Sequence, residues 1–170
     1  MAGVMQPFTI AYVLIVGAVV GSFLNVVIYR VPRRLSIVKP RSACPSCATP
    51  IAWYDNLPIL SWLVLRGRCR KCREPISFRY PAVEATAGLL AVFGVVLYGF
   101  EPVTVEVVVF AWASLALALI DLEHQILPDV MTYPAIAFGL VFSYVGGYTS
   151  FFDSVAGAVV GAALPTAVIV

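Results

Sequence analysis

The sequence predicts an all-α, polytopic membrane protein with about five transmembrane helices and a small cytoplasmic zinc-binding loop domain. The chain of 170 residues is 61% hydrophobic and only 12% charged, whereas soluble domains carry about 25% charged residues. All eleven Lys and Arg residues lie between Arg30 and Arg79. Because positively charged loops stay in the cytoplasm, this basic window should be cytoplasmic and the N-terminus should lie outside.

Five apolar segments are candidates for membrane helices. A spanning helix needs roughly 20 mostly apolar residues, and only the fourth segment is clearly shorter. The first has no basic residue before it and several arginines after it, so it is predicted to be an anchor and not a cleaved secretory signal. The segments are Phe8 to Tyr29, Ala82 to Phe100, Val103 to Ile120, Val130 to Val145 and Phe151 to Val170.

The charge distribution divides the chain into three predicted regions. Residues 1–29 form the first transmembrane helix, residues 30–81 form a basic cytoplasmic domain, and residues 82–170 form a four-helix membrane region. The basic region carries a net charge of +9, since only Asp55 and Glu74 oppose its positive residues. Anionic lipid headgroups are one candidate partner. Nucleic acid is disfavoured, because no recognition helix or aromatic RNA-binding motif is evident.

Small residues recur at helical spacing in the first and last apolar segments. Gly17 and Gly21, like Gly157 and Gly161, are spaced so that two helix backbones could approach closely. On the first helix, Ser22 and Asn25 should form interhelical hydrogen bonds and not bind a ligand. No internal repeat longer than these two patterns is evident.

The four cysteines form two CxxC pairs, Cys44 with Cys47 and Cys69 with Cys72. Two such turns can complete a tetrahedral zinc site, and four thiolate ligands leave no open position for catalysis. The loop has few large apolar residues, so a metal could supply folding energy. Structural disulfides are disfavoured in a reducing cytoplasm, and redox-active or incidental thiols remain alternatives. Structural zinc is the preferred prediction.

A second cluster of polar residues follows the third apolar segment. Asp121 ends an unbroken apolar run, where the helix dipole and the low dielectric both disfavour an ionised carboxylate. An ionisable residue in a membrane segment is a functional hypothesis by default, although a hydrated interfacial aspartate is the alternative. Glu123 and His124 are predicted to be solvated loop residues, with substrate contact or catalysis as alternatives. Asp129 is predicted to cap the next helix.

Seven motifs, in this order, resemble the bacterial type IV prepilin peptidase family. The resemblance covers nearly the whole chain. The motifs are Gly21-Ser-Phe-Leu-Asn-Val-Val-Ile-Tyr-Arg30, the two CxxC pairs, Asp55-Asn-Leu-Pro58, Ser61-Trp-Leu63, Arg66-Gly-Arg-Cys69, Arg79-Tyr-Pro-Ala-Val-Glu84 and Asp121-Leu-Glu-His-Gln-Ile-Leu-Pro-Asp129.

The resemblance implies a bifunctional enzyme of the bacterial inner membrane. It would cut the basic leader from type IV prepilins or type II secretion pseudopilins, and then methylate the new N-terminus with S-adenosylmethionine. Asp121 matches the first of the family's two catalytic aspartates. The second lies in a GxGD motif after the fifth helix, which these 170 residues do not contain. The chain is therefore expected to be part of a longer protein and to lack peptidase activity by itself.

Two functions of other classes remain open at this stage. One is a non-catalytic, zinc-bearing membrane scaffold in a pilus or type II secretion system. The other is a membrane redox protein that uses its CxxC pairs. Tightly bound zinc with unreactive thiols would exclude the redox protein.

Overall fold

The computed structural model describes residues 6–145 and 150–169, and this part of the chain is helical throughout its membrane region. No β-strand forms in these residues, although two isolated antiparallel bridges occur, Ala43 with Pro50 and Arg68 with Pro75. A single 3₁₀ turn covers Trp53–Asn56. The six α-helices are α1 Pro7–Arg30, α2 Leu60–Val64, α3 Arg79–Tyr98, α4 Pro102–His124, α5 Asp129–Val145 and α6 Phe151–Ile169.

Helices α1, α3 and α4 form a three-helix bundle, and α5 packs against both α4 and α6. The bundle has two buried clusters, and the larger one lies toward the end where α1 and α4 finish. Ile28 on α1 and Ile120 on α4 are both fully buried there. The same cluster contains Leu24, Val83, Ala87 and Ala116, with Trp112 and Met131 packed against it. Met131 thus brings the start of α5 to this cluster.

Close packing between α1 and α3 depends on glycine. A Cβ atom at Gly17 would lie 2.7 Å from the Cα of Gly88, and one at Gly21 would lie 2.7 Å from the Cα of Glu84. These distances leave no room for a side chain, so the first small-residue pattern is confirmed as a packing surface. A Cβ at Gly157 or Gly161 would meet nothing within 4 Å. The second pattern makes no such contact with the described residues.

Among the residues that the structure describes, three helices are long and apolar enough to cross a membrane: α1, α3 and α4. Helix α5 has 17 residues and contains Pro134, and the side chains of α6 are described only as far as Gly161. The expectation of five spans is therefore supported for three of them. Residues 146–149 and Val170, the last residue of the fifth predicted segment, lie outside the described residues.

Two helix boundaries differ from the sequence-based expectation. Helix α3 begins at Arg79, three residues before the apolar segment, and α4 continues to His124, four residues past it. Gln125 ends α4 by adopting a left-handed conformation with φ of 53° and donating its N–H to the Asp121 carbonyl. Glu123 and His124 are thus helical residues, and the prediction that they lie in a loop is wrong.

Candidate functional site

The first CxxC pair forms a compact turn closed by backbone hydrogen bonds. The N–H of Cys44 donates to the Thr49 carbonyl at 3.0 Å, and the N–H of Ala48 donates to the Cys44 carbonyl at 2.9 Å. Ala48 has a positive φ of 53°, which turns the chain back so that Pro50 can pair with Ala43. Both cysteine side chains therefore leave the same turn.

The second pair repeats this construction 25 residues later. Cys69 N–H donates to the Glu74 carbonyl at 2.9 Å, and Arg73 N–H donates to the Cys69 carbonyl at 3.1 Å. Arg73 has a φ of 62°, as Ala48 does in the first turn. Both turns have the sequence Cys-x-x-Cys-x-x-Pro-Ile, ending at Ile51 and at Ile76. The two turns are a short structural repeat. The prediction that the chain has no internal repeat beyond the small-residue patterns is therefore wrong.

The repeat brings all four sulfur atoms together. The Sγ atoms lie within 4.8 Å of one another, with 3.7 Å between Cys44 and Cys72 and 4.0 Å between Cys47 and Cys69. A zinc–sulfur distance of about 2.3 Å requires neighbouring sulfurs about 3.8 Å apart in a tetrahedron. None of the four cysteines is in a disulfide. The donor set and its spacing therefore fit a Cys₄ zinc site, in which zinc would tie the two turns together.

The thiols of this cluster do not share one environment. Hydrogen bonds from the side chain and backbone of Thr49 lower the pKa of Cys47 to about 6. Backbone hydrogen bonds from Cys72 and Lys71 lower the pKa of Cys69. The Glu74 backbone hydrogen bond lowers the pKa of Cys72, but desolvation and the neighbouring sulfurs outweigh it and raise that pKa to about 12. Two of the sulfurs are thus predisposed to bind a cation as thiolates.

An ion pair joins the second cysteine turn to the 3₁₀ turn. Arg70 donates through Nε to one Asp55 carboxylate oxygen at 2.8 Å and through a terminal nitrogen to the other at 2.6 Å. The hydrogen bonds and charge of Arg70 hold the pKa of Asp55 below its usual value. Because two parallel bonds fix an orientation, this pair sets where the Asp55-Asn-Leu-Pro58 segment lies.

Glu84 links this domain to the membrane helices. Its side chain lies on α3 and is buried, with 8% of its surface exposed. One carboxylate oxygen accepts the N–H of Ile59 at 2.7 Å, and the Ser22 side chain hydrogen-bonds the same group. Ile59 has a φ of 62°, a conformation that a β-branched residue adopts only when its surroundings impose it.

Asn25 forms the predicted interhelical hydrogen bond. Its Nδ2 donates to the Tyr80 carbonyl on α3 at 3.1 Å, and the residue is almost fully buried. Ser22, through Glu84, also bridges α1 and α3. Both polar residues of α1 therefore hold the two helices together at the end where the basic domain begins.

Asp121 lies at the same end of the bundle as the cysteine domain. The domain leaves α1 at Arg30 and enters α3 at Arg79, and Arg79 forms an ion pair with Glu123 on the last turn of α4. Asp121 is exposed one half-turn before Glu123. No hydrogen bond or ion pair engages its carboxylate within residues 6–145 and 150–169. This side chain is free to meet a ligand or a second acid.

The other polar residues of this cluster have mainly local roles. His124 is partly buried, and its Nε2 has no hydrogen-bond partner among the described residues. Asp129 is the first residue of α5 and not its cap, because the Pro128 carbonyl accepts from Met131 and Thr132. An acid in a first helical turn still interacts favourably with the helix dipole.

Sequence reasoning predicted the cysteines and Asp121 as site residues, and it gave no role to Glu84 or to the Arg79–Glu123 pair. Glu84 could have been found, because it is the only charged residue between Pro81 and Phe100, and an acid inside a membrane segment requires a partner. The ion pair could not have been found from the sequence, since its two residues belong to different helices and sequence spacing does not place them together.

Two family descriptions match the chain in consecutive segments. "Bacterial Peptidase A24 N-terminal domain" matches residues 15–98, and "Type IV leader peptidase family" matches residues 108–169. The first therefore covers most of α1, the cysteine domain and α3, and the second covers most of α4 together with α5 and α6. No solved structure matches the chain.

Curated relatives share the same printed name, "Prepilin leader peptidase/N-methyltransferase". The protein from Myxococcus xanthus is 46% identical over 159 residues, covering 94% of this chain and 48% of the relative. The protein from Neisseria gonorrhoeae is 39% identical, covering 93% of this chain and 64% of the relative. The protein from Aeromonas hydrophila is 40% identical and is covered over 57% of its length. The chain thus spans about half to two thirds of the relatives it matches.

Proposed function

Because the chain belongs to the type IV leader peptidase family, we propose that it takes part in cleaving the leader of type IV prepilins or pseudopilins and in methylating the new N-terminus. The resemblance of its motifs to this family is confirmed. The observation that carries the proposal is the Arg79–Glu123 ion pair, which joins the start of α3, where the cysteine domain ends, to the turn of α4 that bears Asp121. A candidate catalytic acid and a candidate metal domain therefore share one end of a membrane bundle.

Asp121 is proposed as one of two catalytic aspartates. An aspartic peptidase needs one ionised carboxylate to activate water and one protonated carboxyl to polarise the scissile carbonyl. The exposed Asp121 carboxylate, at the end of an apolar helix, could meet a peptide that emerges from the bilayer. Its partner in this family would come from a GxGD motif. Asp129, which begins the next helix, is assigned no share in the chemistry.

The cysteine domain is proposed to hold a structural zinc ion through Cys44, Cys47, Cys69 and Cys72. Four thiolates would fill the coordination sphere of zinc and leave no site for a substrate. The methyl donor for the second reaction would be S-adenosylmethionine, as the names of the relatives suggest. The proposed domains follow from these assignments. Residues 1–29 form the membrane anchor, residues 30–81 form the zinc-binding domain, and residues 82–170 belong to the peptidase region.

The proposed location is the bacterial inner membrane, with residues 30–81 in the cytoplasm and the N-terminus outside. The positive charges of this region support that orientation. The length and apolar composition of three helices support membrane insertion, and we propose that α5 and α6 complete five spans. Residues at the start of α3 and the end of α4 would then lie at the cytoplasmic boundary, where a leader peptide is accessible.

The test is leader cleavage by this chain joined to a C-terminal segment that carries the family's GxGD motif. We expect Asp121→Asn to reduce cleavage of a prepilin by about 10²–10⁴-fold, because an amide cannot exchange the required proton. Asp129→Asn is the matched control and should retain most activity. Cleavage is read by the mass shift of the purified prepilin.

Methylation of a pre-cleaved pilin should survive Asp121→Asn, which shows that the variant protein is folded. Normal cleavage by Asp121→Asn would refute the assignment of this residue. A non-catalytic zinc-bearing scaffold predicts another pattern, in which pilus assembly is lost with Cys44→Ser but is unaffected by Asp121→Asn.

A further inference from the structure

A groove runs along α1 from the membrane segment into the cysteine domain. It consists of two adjoining cavities of about 270 and 260 Å³, which share Phe23, Val26 and Asn56 as lining residues. The shared residues make the two cavities one continuous depression. None of the residues that carry the proposed peptidase or zinc site lines it.

The two ends of the groove differ in chemistry. One end is lined by α1 residues Val19, Ser22, Phe23 and Val26, together with Asn56 and Pro58 from the cysteine domain. The other end adds Arg30 and Arg41 to a lining that includes the apolar residues Ile37, Val38, Ile51 and Trp53. The groove is therefore mainly apolar along its length, and its two cationic residues lie only at the end away from Val19.

The positive charge at this end is not neutralised by the protein. Arg30 donates to the Ser36 and Pro40 carbonyls, each at 2.8 Å, which fixes its guanidinium but leaves its charge uncompensated. Neither Arg30 nor Arg41 has a carboxylate partner within the part of the chain that the structure describes. No acidic residue lines the groove. The ligand that complements it is an anion with an apolar extension.

We propose that this groove binds one anionic phospholipid of the adjacent leaflet, with its phosphate at Arg30 and Arg41 and an acyl chain along Val19, Phe23 and Val26. Basic pockets beside transmembrane helices bind anionic headgroups through this combination of charge and depth. The lipid would join the cysteine domain to α1. This inference goes beyond the proposed function and does not depend on it. A basic leader peptide is a poorer occupant, because the two arginines would repel it.

The test is native mass spectrometry of the purified chain in detergent, titrated with dioleoylphosphatidylglycerol or dioleoylphosphatidylcholine. We expect one phosphatidylglycerol to bind per chain in preference to phosphatidylcholine. Arg41→Gln should weaken its binding about fivefold, the effect of one basic residue near an anionic headgroup. Arg34→Gln is the matched control, since Arg34 is exposed in the same segment but does not line the groove. Its effect should be less than about twofold.

A second variant tests the apolar end of the groove. Val26→Trp should fill the shared part of the two cavities and displace the lipid, while leaving the buried face of α1 unchanged. Equal loss of binding in Arg34→Gln and Arg41→Gln would show general surface attraction and overturn the site. The proposal would also fail if phosphatidylcholine bound equally well, if neither Arg41→Gln nor Val26→Trp weakened binding, or if the groove proved to be covered by a second copy of the chain.

Discussion

At the scale of single residues, the joint between the membrane helices and the cysteine domain depends on buried polar groups that are almost all paired. The Glu84 carboxylate accepts from the Ile59 backbone and bonds to Ser22, while Asn25 bonds to the Tyr80 carbonyl. A buried polar group costs little when it is hydrogen-bonded and much when it is not. These bonds therefore specify one position of the domain relative to the helices.

Replacing Glu84 should separate the role of its oxygen atom from that of its size. Glu84→Leu leaves the Ile59 N–H without an acceptor. We therefore expect the free energy of local opening of residues 57–65 to fall by about 1–3 kcal/mol. Glu84→Gln keeps an acceptor oxygen and should retain most of it. Hydrogen–deuterium exchange across residues 57–65 is the measurement, and Glu101→Leu, at an exposed position, is the control.

Similar exchange in Glu84→Gln and Glu84→Leu would contradict this assignment, because it would show that the carboxylate oxygen is not what holds Ile59. The sequence could reveal that Glu84 needs a partner, since it is a lone acid in an apolar run. It could not reveal which partner, because Ile59 lies 25 residues away, directly before the short helix α2, and sequence spacing does not place it beside α3.

At the scale of helices, hydropathy located three segments that can cross a membrane but misjudged where two of these helices begin or end. Apolar residues mark the depth of a bilayer, whereas a helix ends where its backbone hydrogen bonds end. Helix α4 therefore continues through polar residues to His124 and stops only at the left-handed Gln125. The small-residue pattern was equally ambiguous, since spacing alone does not distinguish a packed face from one exposed to lipid.

The two glycine pairs make that ambiguity testable. Gly21→Val should destabilise the bundle by about 1–3 kcal/mol or more, because the added atoms would overlap the backbone of α3. Gly157→Val, the matched change on α6, meets open space and should leave stability nearly unchanged. Thermal unfolding in detergent, followed by circular dichroism, compares the two. If both variants unfolded at the temperature of the parent chain, the close packing of α1 on α3 would be wrong.

At the scale of the whole molecule, the charge asymmetry and the cysteine pairs determined most of what could be predicted. They indicated a membrane protein with one basic domain that gathers four thiols, and the structure brings those sulfurs to the spacing of a tetrahedral site. The order of the apolar segments predicted that this domain and Asp121 lie on the same side of the membrane, but not how the domain is held near Asp121. That depends on the Arg79–Glu123 pair between α3 and α4, and thus on tertiary packing.

Orientation and metal binding can be tested together through the reactivity of the cysteines. If residues 30–81 are cytoplasmic and the four thiolates bind zinc, a membrane-impermeant maleimide should label them only when cells are permeabilised and a chelator has removed the metal. Each treatment alone should leave labelling low. A Glu101→Cys variant, in the exposed connection between α3 and α4 on the opposite side, should be labelled in intact cells without either treatment. Labelling of the native cysteines in intact cells would show that the proposed topology is inverted. Labelling after permeabilisation alone would contradict the zinc site but not the topology.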